Sequence, residues 1–201
     1  MERKYAWHNY DDATVEKVYA LSDTYRQFLD NGKTERECVV QAVEFAEAKG
    51  YVNLNDIIKS NTSIKAGDKI YYTHMDKSIA LFNIGTDDIE LGMNILGAHI
   101  DSPRIDVKQN PQYEDSNLVF WDTHYYGGIK KYHWVAMPLA IHGVVVKTDG
   151  THININIGDK ENDPVFCITD LLPHLGQEQM QKNAAKVIEG EALDLLIGSR
   201  P

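Results

Sequence analysis

Cysteine is almost absent: Cys38 and Cys167 are the only two in the chain. So widely separated a pair excludes a disulfide framework and a cysteine-built zinc site. Long hydrophobic runs are missing as well, and none approaches the roughly 18 apolar residues that span a bilayer. The opening residues, Met1-Glu2-Arg3-Lys4-Tyr5-Ala6-Trp7, lack the apolar core of a secretory signal, so the expected location is cytoplasmic. Positive charge is scarce: 20 Lys and Arg stand against 30 Asp and Glu, for a net charge of −10. Nucleic acid and anionic membranes both reward clustered cations, so neither is an expected partner. Internal repeats and low-complexity stretches are also lacking. What remains is 43% apolar and 25% charged, an ordinary globular composition over 201 residues. That length allows one good core or two small ones.

Apolar residues Val15, Val18, Tyr19, Leu21, Tyr25, Phe28 and Leu29 recur at helical spacing, and Asn31-Gly32 predicts a left-handed cap. A second helix is expected from Thr34, with Glu37 completing a capping box, to Lys49-Gly50. Cys38 lies within it and is expected to be a small buried residue, not a reactive thiol. Lys65-Ala66-Gly67-Asp68 predicts a turn before a strand over residues 69–74, with a hairpin partner over 78–84. The apolar run from Met93 to Ala98 is then expected as a buried central strand. Two helices, a hairpin and a buried strand suit an α/β layer around a mixed sheet. Residues 109–117 are polar and contain a proline, which predicts a crossing between lobes. Alternation dominates afterwards, through 118–126, 139–147 and 152–157, with Thr148-Asp149-Gly150-Thr151 as a hairpin turn. The expected organisation is an α/β segment over residues 1–110 and a β-rich domain over residues 111–201.

The central run ends in His99-Ile100-Asp101-Ser102-Pro103-Arg104. Extended residues two apart share a face, so His99 and Asp101 can meet on one side. Pro103 lacks a backbone donor and stops a sheet from continuing unchanged. A carboxylate that accepts the second N–H of an imidazole fixes the tautomer of a metal-ligating histidine. The same residues also suit a strand that leaves a core through a polar turn, and His-x-Asp alone does not separate the two. His174, in Leu172-Pro173-His174-Leu175 before a helical run from Gln177, is either a residue bonding locally near a helix start or a donor at a site. Tyr125-Tyr126-Gly127-Gly128 lacks the pattern of a phosphate-binding loop and predicts a tight turn or bulge. His74, His124, His133, His142 and His152 are expected to be structural or surface residues. Glu189-Gly190-Glu191 and Asp87-Asp88 are expected in solvated turns or at helix ends.

Three stretches gain weight together: Gly97-Ala98-His99-Ile100-Asp101-Ser102-Pro103-Arg104, His124-Tyr125-Tyr126-Gly127-Gly128-Ile129 and Leu172-Pro173-His174-Leu175. In this order they resemble the aspartyl aminopeptidase / vacuolar aminopeptidase I family of zinc metallopeptidases, and the first is the most specific. The resemblance covers most of the chain. It implies the N-terminal part of a mixed-sheet zinc-peptidase domain with helices packed on it, plus a β-rich dimerisation domain inserted near residue 110. The implied activity is removal of an N-terminal residue, acidic ones being candidates, from peptides by water activated between two zinc ions. Manganese or cobalt could stand in for zinc in such a site. By resemblance, His99 is a ligand of one zinc and Asp101 is the carboxylate that orients it. His174 would contact substrate in the active site of a partner subunit. Assembly into a dimer or larger homo-oligomer is a further implication.

Members of that family are more than twice as long, so the chain corresponds to their N-terminal portion. The bridging Asp, the Glu base and the remaining ligands are expected outside it. One neutral imidazole does not hold Zn²⁺ against water, so these residues alone are expected to be inactive. Two other readings stand beside the peptidase: a non-catalytic dimerisation module with an incomplete metal site, and a single-metal hydrolase of another plan. Ile129 departs from the third Gly that many members carry, which leaves the shape of that loop open.

Overall fold

The structure, a computed structural model, describes residues 4–200. The chain forms two compact units, Met1–Asp101 and Ser102–Pro201.

In the first unit, helix α1 runs Asp12–Asn31. Asp11 caps it by accepting the backbone N–H of Thr14 at 2.9 Å. Hydrogen bonding from the Thr14 side chain, and then from its backbone N–H, holds the Asp11 carboxyl below the usual range. Gly32 follows with φ −114°, so the left-handed cap expected at Asn31-Gly32 does not form. Glycine is needed there for space instead: a Cβ would lie 2.9 Å from Cys38 Sγ and from Gln41 Nε2. Helix α2, Glu35–Ala48, opens with the expected capping box. The Glu37 N–H donates to Thr34 Oγ1 at 3.3 Å, and the Thr34 N–H donates to Glu37 Oε2 at 2.9 Å. Gly50 beyond its end takes φ +82°. Phe28 of α1 stacks on Phe45 of α2 with ring centroids 6.3 Å apart.

Strand β1 (Val52–Asn53) leads into the short helix α3 (Leu54–Lys59). Strands β2 (Lys69–His74) and β3 (Ser78–Asn83) pair antiparallel, while β1 lies parallel to β2. The sheet is therefore mixed, in the order β1-β2-β3. Met75 and Asp76, at φ 52° and 55°, supply the two left-handed residues that a tight hairpin needs. Cys38, Val39 and Ala46 of α2, with Ile70 and Tyr71 of β2, are the buried apolar residues of this unit. Burial pushes the Cys38 thiol up, which suits the inert role expected of it.

The run Met93–Ala98 is not a strand. Among the described residues nothing pairs with it, and Ile95 and Leu96 are 79% and 101% exposed. A buried strand takes its conformation from neighbours on both edges and its burial from layers over both faces. Helix α1 shows the same shortage of cover, since Tyr19, Leu21 and Tyr25 all face outward.

The second unit begins with β4 (Arg104–Asp115) and β5 (Leu118–Tyr126), a long hairpin turned by Ser116 and Asn117 at φ 52° and 62°. Residues 109–117, expected as a crossing between lobes, lie inside this hairpin, and β4 passes through residue 110. The ladder is broken between Val107 and Gln112. Pro111 falls in that break, where its missing N–H removes no ladder bond. Strands β6 (Ile141–Val146) and β7 (His152–Ile157) form a second hairpin, followed by the one-turn helix α4 (Gln177–Gln181). Strand β8 (Leu195–Gly198) returns to the free edge of β5, giving the order β4-β5-β8.

The core beside that sheet is Ile168, Ile188, Leu193 and Leu195, flanked by Trp121, Trp134 and Phe166. A polar network fastens residues 191–194 to the strands. Thr123, 0% exposed, donates its hydroxyl to the Leu193 carbonyl. Asp194 accepts the Tyr113 hydroxyl at 2.7 Å and the Thr123 N–H at 3.3 Å. Burial, then the bond to Asp194, push the Tyr113 phenol up to about 12. Lys108 Nζ sits 2.8 Å from Asp122 and 2.9 Å from Glu191, and these bonds raise it above an ordinary lysine. Among the described residues no helix is long and apolar enough to cross a membrane.

Candidate metal centre

His99 ends the exposed apolar run, in a segment that belongs to no sheet. Its Nδ1 lies 3.0 Å from Oδ1 of Asp101 and 3.1 Å from the Asp101 carbonyl oxygen. Both neighbours are acceptors, so the neutral ring keeps its proton on Nδ1 and carries its lone pair on Nε2. The two-residue spacing thus brings the pair together even without a strand. His99 is turned to solvent, with a side chain 85% exposed. An imidazole held by a carboxylate through its other nitrogen is the usual state of a metal ligand. The pair therefore fits one coordination position.

Among the described residues no group of three His, Cys, Asp or Glu side chains is placed to hold a metal ion. Catalytic zinc takes about three protein ligands, so His99 with Asp101 would supply one corner of such a site and no more. Asp87, Asp88, Glu189 and Glu191 are exposed, as expected of solvated turns. Asp88 caps the short 3-10 turn Ile89–Leu91, and Glu191 pairs with Lys108.

His174 belongs to the second unit, whereas His99 and Asp101 belong to the first. It is exposed, on the turn before α4. That turn is closed by backbone bonds from Leu175 and Gly176 to the Leu172 carbonyl, each 2.9 Å. The residue that caps α4 is Gly176, without a side-chain bond, so His174 does not cap the helix.

Sequence spacing missed how two of the motifs meet. Arg104 and Tyr126 are cross-strand partners, as are Asp106 and His124. Arg104 Nε donates to Asp106 at 2.7 Å, and its guanidinium carbon lies 4.2 Å from the Tyr126 ring centroid. Gly127, at φ +78°, turns the chain where a Cβ would stand 3.4 Å from Pro103. The signal was only partly available: both motifs flank one hairpin centred on Ser116-Asn117, but the register shift between Val107 and Gln112 means that counting outward from the turn sets Arg104 against Ile129 instead of Tyr126. Ile129 packs against the core, which gives its side chain a structural use. His142 is a structural histidine as expected, but with a partner: its Nε2 lies 3.1 Å from Oδ2 of Asp159.

Residues 28–199 match the family model of the aminopeptidase I zinc metalloproteases, M18. The chain belongs to the M18 aminopeptidase family. The probable M18 family aminopeptidase 1 of Clostridium acetobutylicum is 54% identical over 200 residues, covering 100% of this chain and 43% of that protein. The crystal structure of an M18-family aminopeptidase from Thermotoga maritima superposes with a TM-score of 0.89 at 44% identity, covering 100% of this chain and 42% of that one. The S. cerevisiae mApe1 dodecamer, at 17% identity and a TM-score of 0.62, covers 88% of this chain and 38% of that one and shares the fold alone. The mixed α/β architecture is thus that of M18 structures. The chain spans less than half the length of the relatives it matches.

Proposed function

We propose that this sequence is the N-terminal portion of a zinc metalloaminopeptidase that removes the N-terminal residue, acidic ones being candidates, from peptides. The observation that carries the reading is the His99–Asp101 pair at 3.0 Å, with Nε2 turned outward, in a chain of the M18 family. Two zinc ions, when bound, supply an acidified water and a polarised scissile carbonyl. His99 offers one ligand nitrogen. Asp101 keeps the proton on Nδ1 and sets the ring's orientation. His174 presents an imidazole donor on an exposed turn, suited to an oxyanion developing in a neighbouring subunit's site.

This reading makes the β-rich second unit a dimerisation domain and the working protein a homo-oligomer in the cytoplasm. The dodecameric assembly of the yeast structure supports it only by shared fold. The acidic net charge of −10 argues against nucleic acid or an anionic membrane as a further partner.

The test uses a full-length protein carrying this sequence. Asp101→Asn is expected to lower zinc affinity or kcat/KM about 10- to 100-fold while leaving the unfolding midpoint in place. Retention of both by Asp101→Asn would remove the role proposed for the pair. A second reading, a non-catalytic assembly module, shares with the first the lack of a three-ligand cluster among the described residues. Zinc content of the full-length protein as purified separates them, two ions per chain for the peptidase and none for the module.

A further inference from the structure

In an acidic chain, three lysines converge on one hollow of the second unit. Lys131, from the segment after β5, and Lys182 and Lys186, from the segment after α4, line a cavity of about 400 Å³ with Ile188 and Glu189. The hollow is more open than enclosed. Ile188 gives it a buried apolar wall. Lys182 spends its charge on Glu189, 3.4 Å away. Among the described residues, Lys131 and Lys186 have no carboxylate within ion-pair distance. Lys131 is instead steered by neutral groups: its Nζ donates to the Ala185 carbonyl at 3.4 Å and lies 5.8 Å from the Tyr125 ring centroid. Gly190 closes that side with no room for a side chain, since a Cβ there would meet Tyr125 at 2.8 Å.

Like charges gathered around one space repel until an anion enters it. Ammonium groups are compact, strongly hydrated point charges, which favours a small anion of high charge density over a planar carboxylate. We propose that this cavity binds a compact phosphate-bearing anion, held by Lys131 and Lys186 and, once Glu189 yields it, by Lys182. The proposal does not depend on zinc or on the peptidase reading.

Inorganic pyrophosphate titrated into this chain by calorimetry at low ionic strength is the test. Saturable one-to-one binding is expected. Lys131→Gln and Lys186→Gln should each weaken it about tenfold, the scale of one lost charge-assisted bond. Lys147→Gln, in the β6–β7 turn, should leave it unchanged. Glu189→Gln should strengthen it, and this variant keeps the test alive if a lysine variant fails to fold. A tricarboxylate probe should bind more weakly than pyrophosphate. Absent or non-saturating binding, equal loss in the Lys147 variant, weakening by Glu189→Gln, or tighter tricarboxylate binding each overturns the proposal.

Discussion

At the scale of single residues, Thr123 and Asp163 are positions whose replacement has a defined physical cost. Thr123 is fully buried and its hydroxyl serves the Leu193 carbonyl. Thr123→Val keeps the volume and leaves that carbonyl without its donor, at about 1–3 kcal/mol. The expected result is a lower urea midpoint with an unchanged m-value; an unmoved midpoint would show that the bond contributes nothing. Asp163 accepts the N–H groups of Gly158 and Lys160 at 3.1 and 3.3 Å, and these bonds hold its carboxyl below the usual range. A depressed folded pKa gives stability that is present above the unfolded value of about 3.9 and lost as pH falls through the folded one. Asp163→Asn should therefore lower the melting temperature at neutral pH, with the gap to the parent chain closing in acid. A gap that persists unchanged in strong acid contradicts this. The same scale shows what was legible in advance. His99 and Asp101 were found because they are two residues apart and make their bond locally. The pairs His142–Asp159 and Arg104–Tyr126 were not, because each needs the chain to return on itself before the partners meet.

At the scale of elements, the parts that formed as expected are those specified by neighbouring residues. The capping box at Thr34-Glu37, the hairpin of β2 and β3 and the alternating strands β6 and β7 all carry their instructions within a few positions. The run Met93–Ala98 has the composition of a strand but no partner within the described residues, so its expected conformation is not realised. Its amides should accordingly show no hydrogen-exchange protection in this chain, while those of β2 and β5 exchange slowly. Strong protection over residues 93–98 would mean that a ladder forms there after all. In the second unit, one residue holds several elements together: Leu193, with no exposed surface, sits at the centre of the core beside β5 and β8. Leu193→Ala should cost about 2–5 kcal/mol in chemical denaturation. A loss well below that range would place the core elsewhere.

At the scale of the whole molecule, membership of the M18 family rests on a match over residues 28–199, and the catalytic reading rests on a corner of a site. The outward-facing apolar residues of α1 and of the run 93–98 mark surface that further structure covers in the reading proposed here. A full-length protein carrying this sequence should scatter light as a dimer or larger, and a monomer at high concentration would leave His174 without a neighbouring site to serve. The most direct test concerns zinc and this chain. If His99, oriented by Asp101, is one ligand of a site completed elsewhere, calorimetric titration of these 201 residues should show only weak zinc binding, abolished by His99→Ala. Sub-micromolar binding at two sites, or weak binding that survives His99→Ala, would contradict the account.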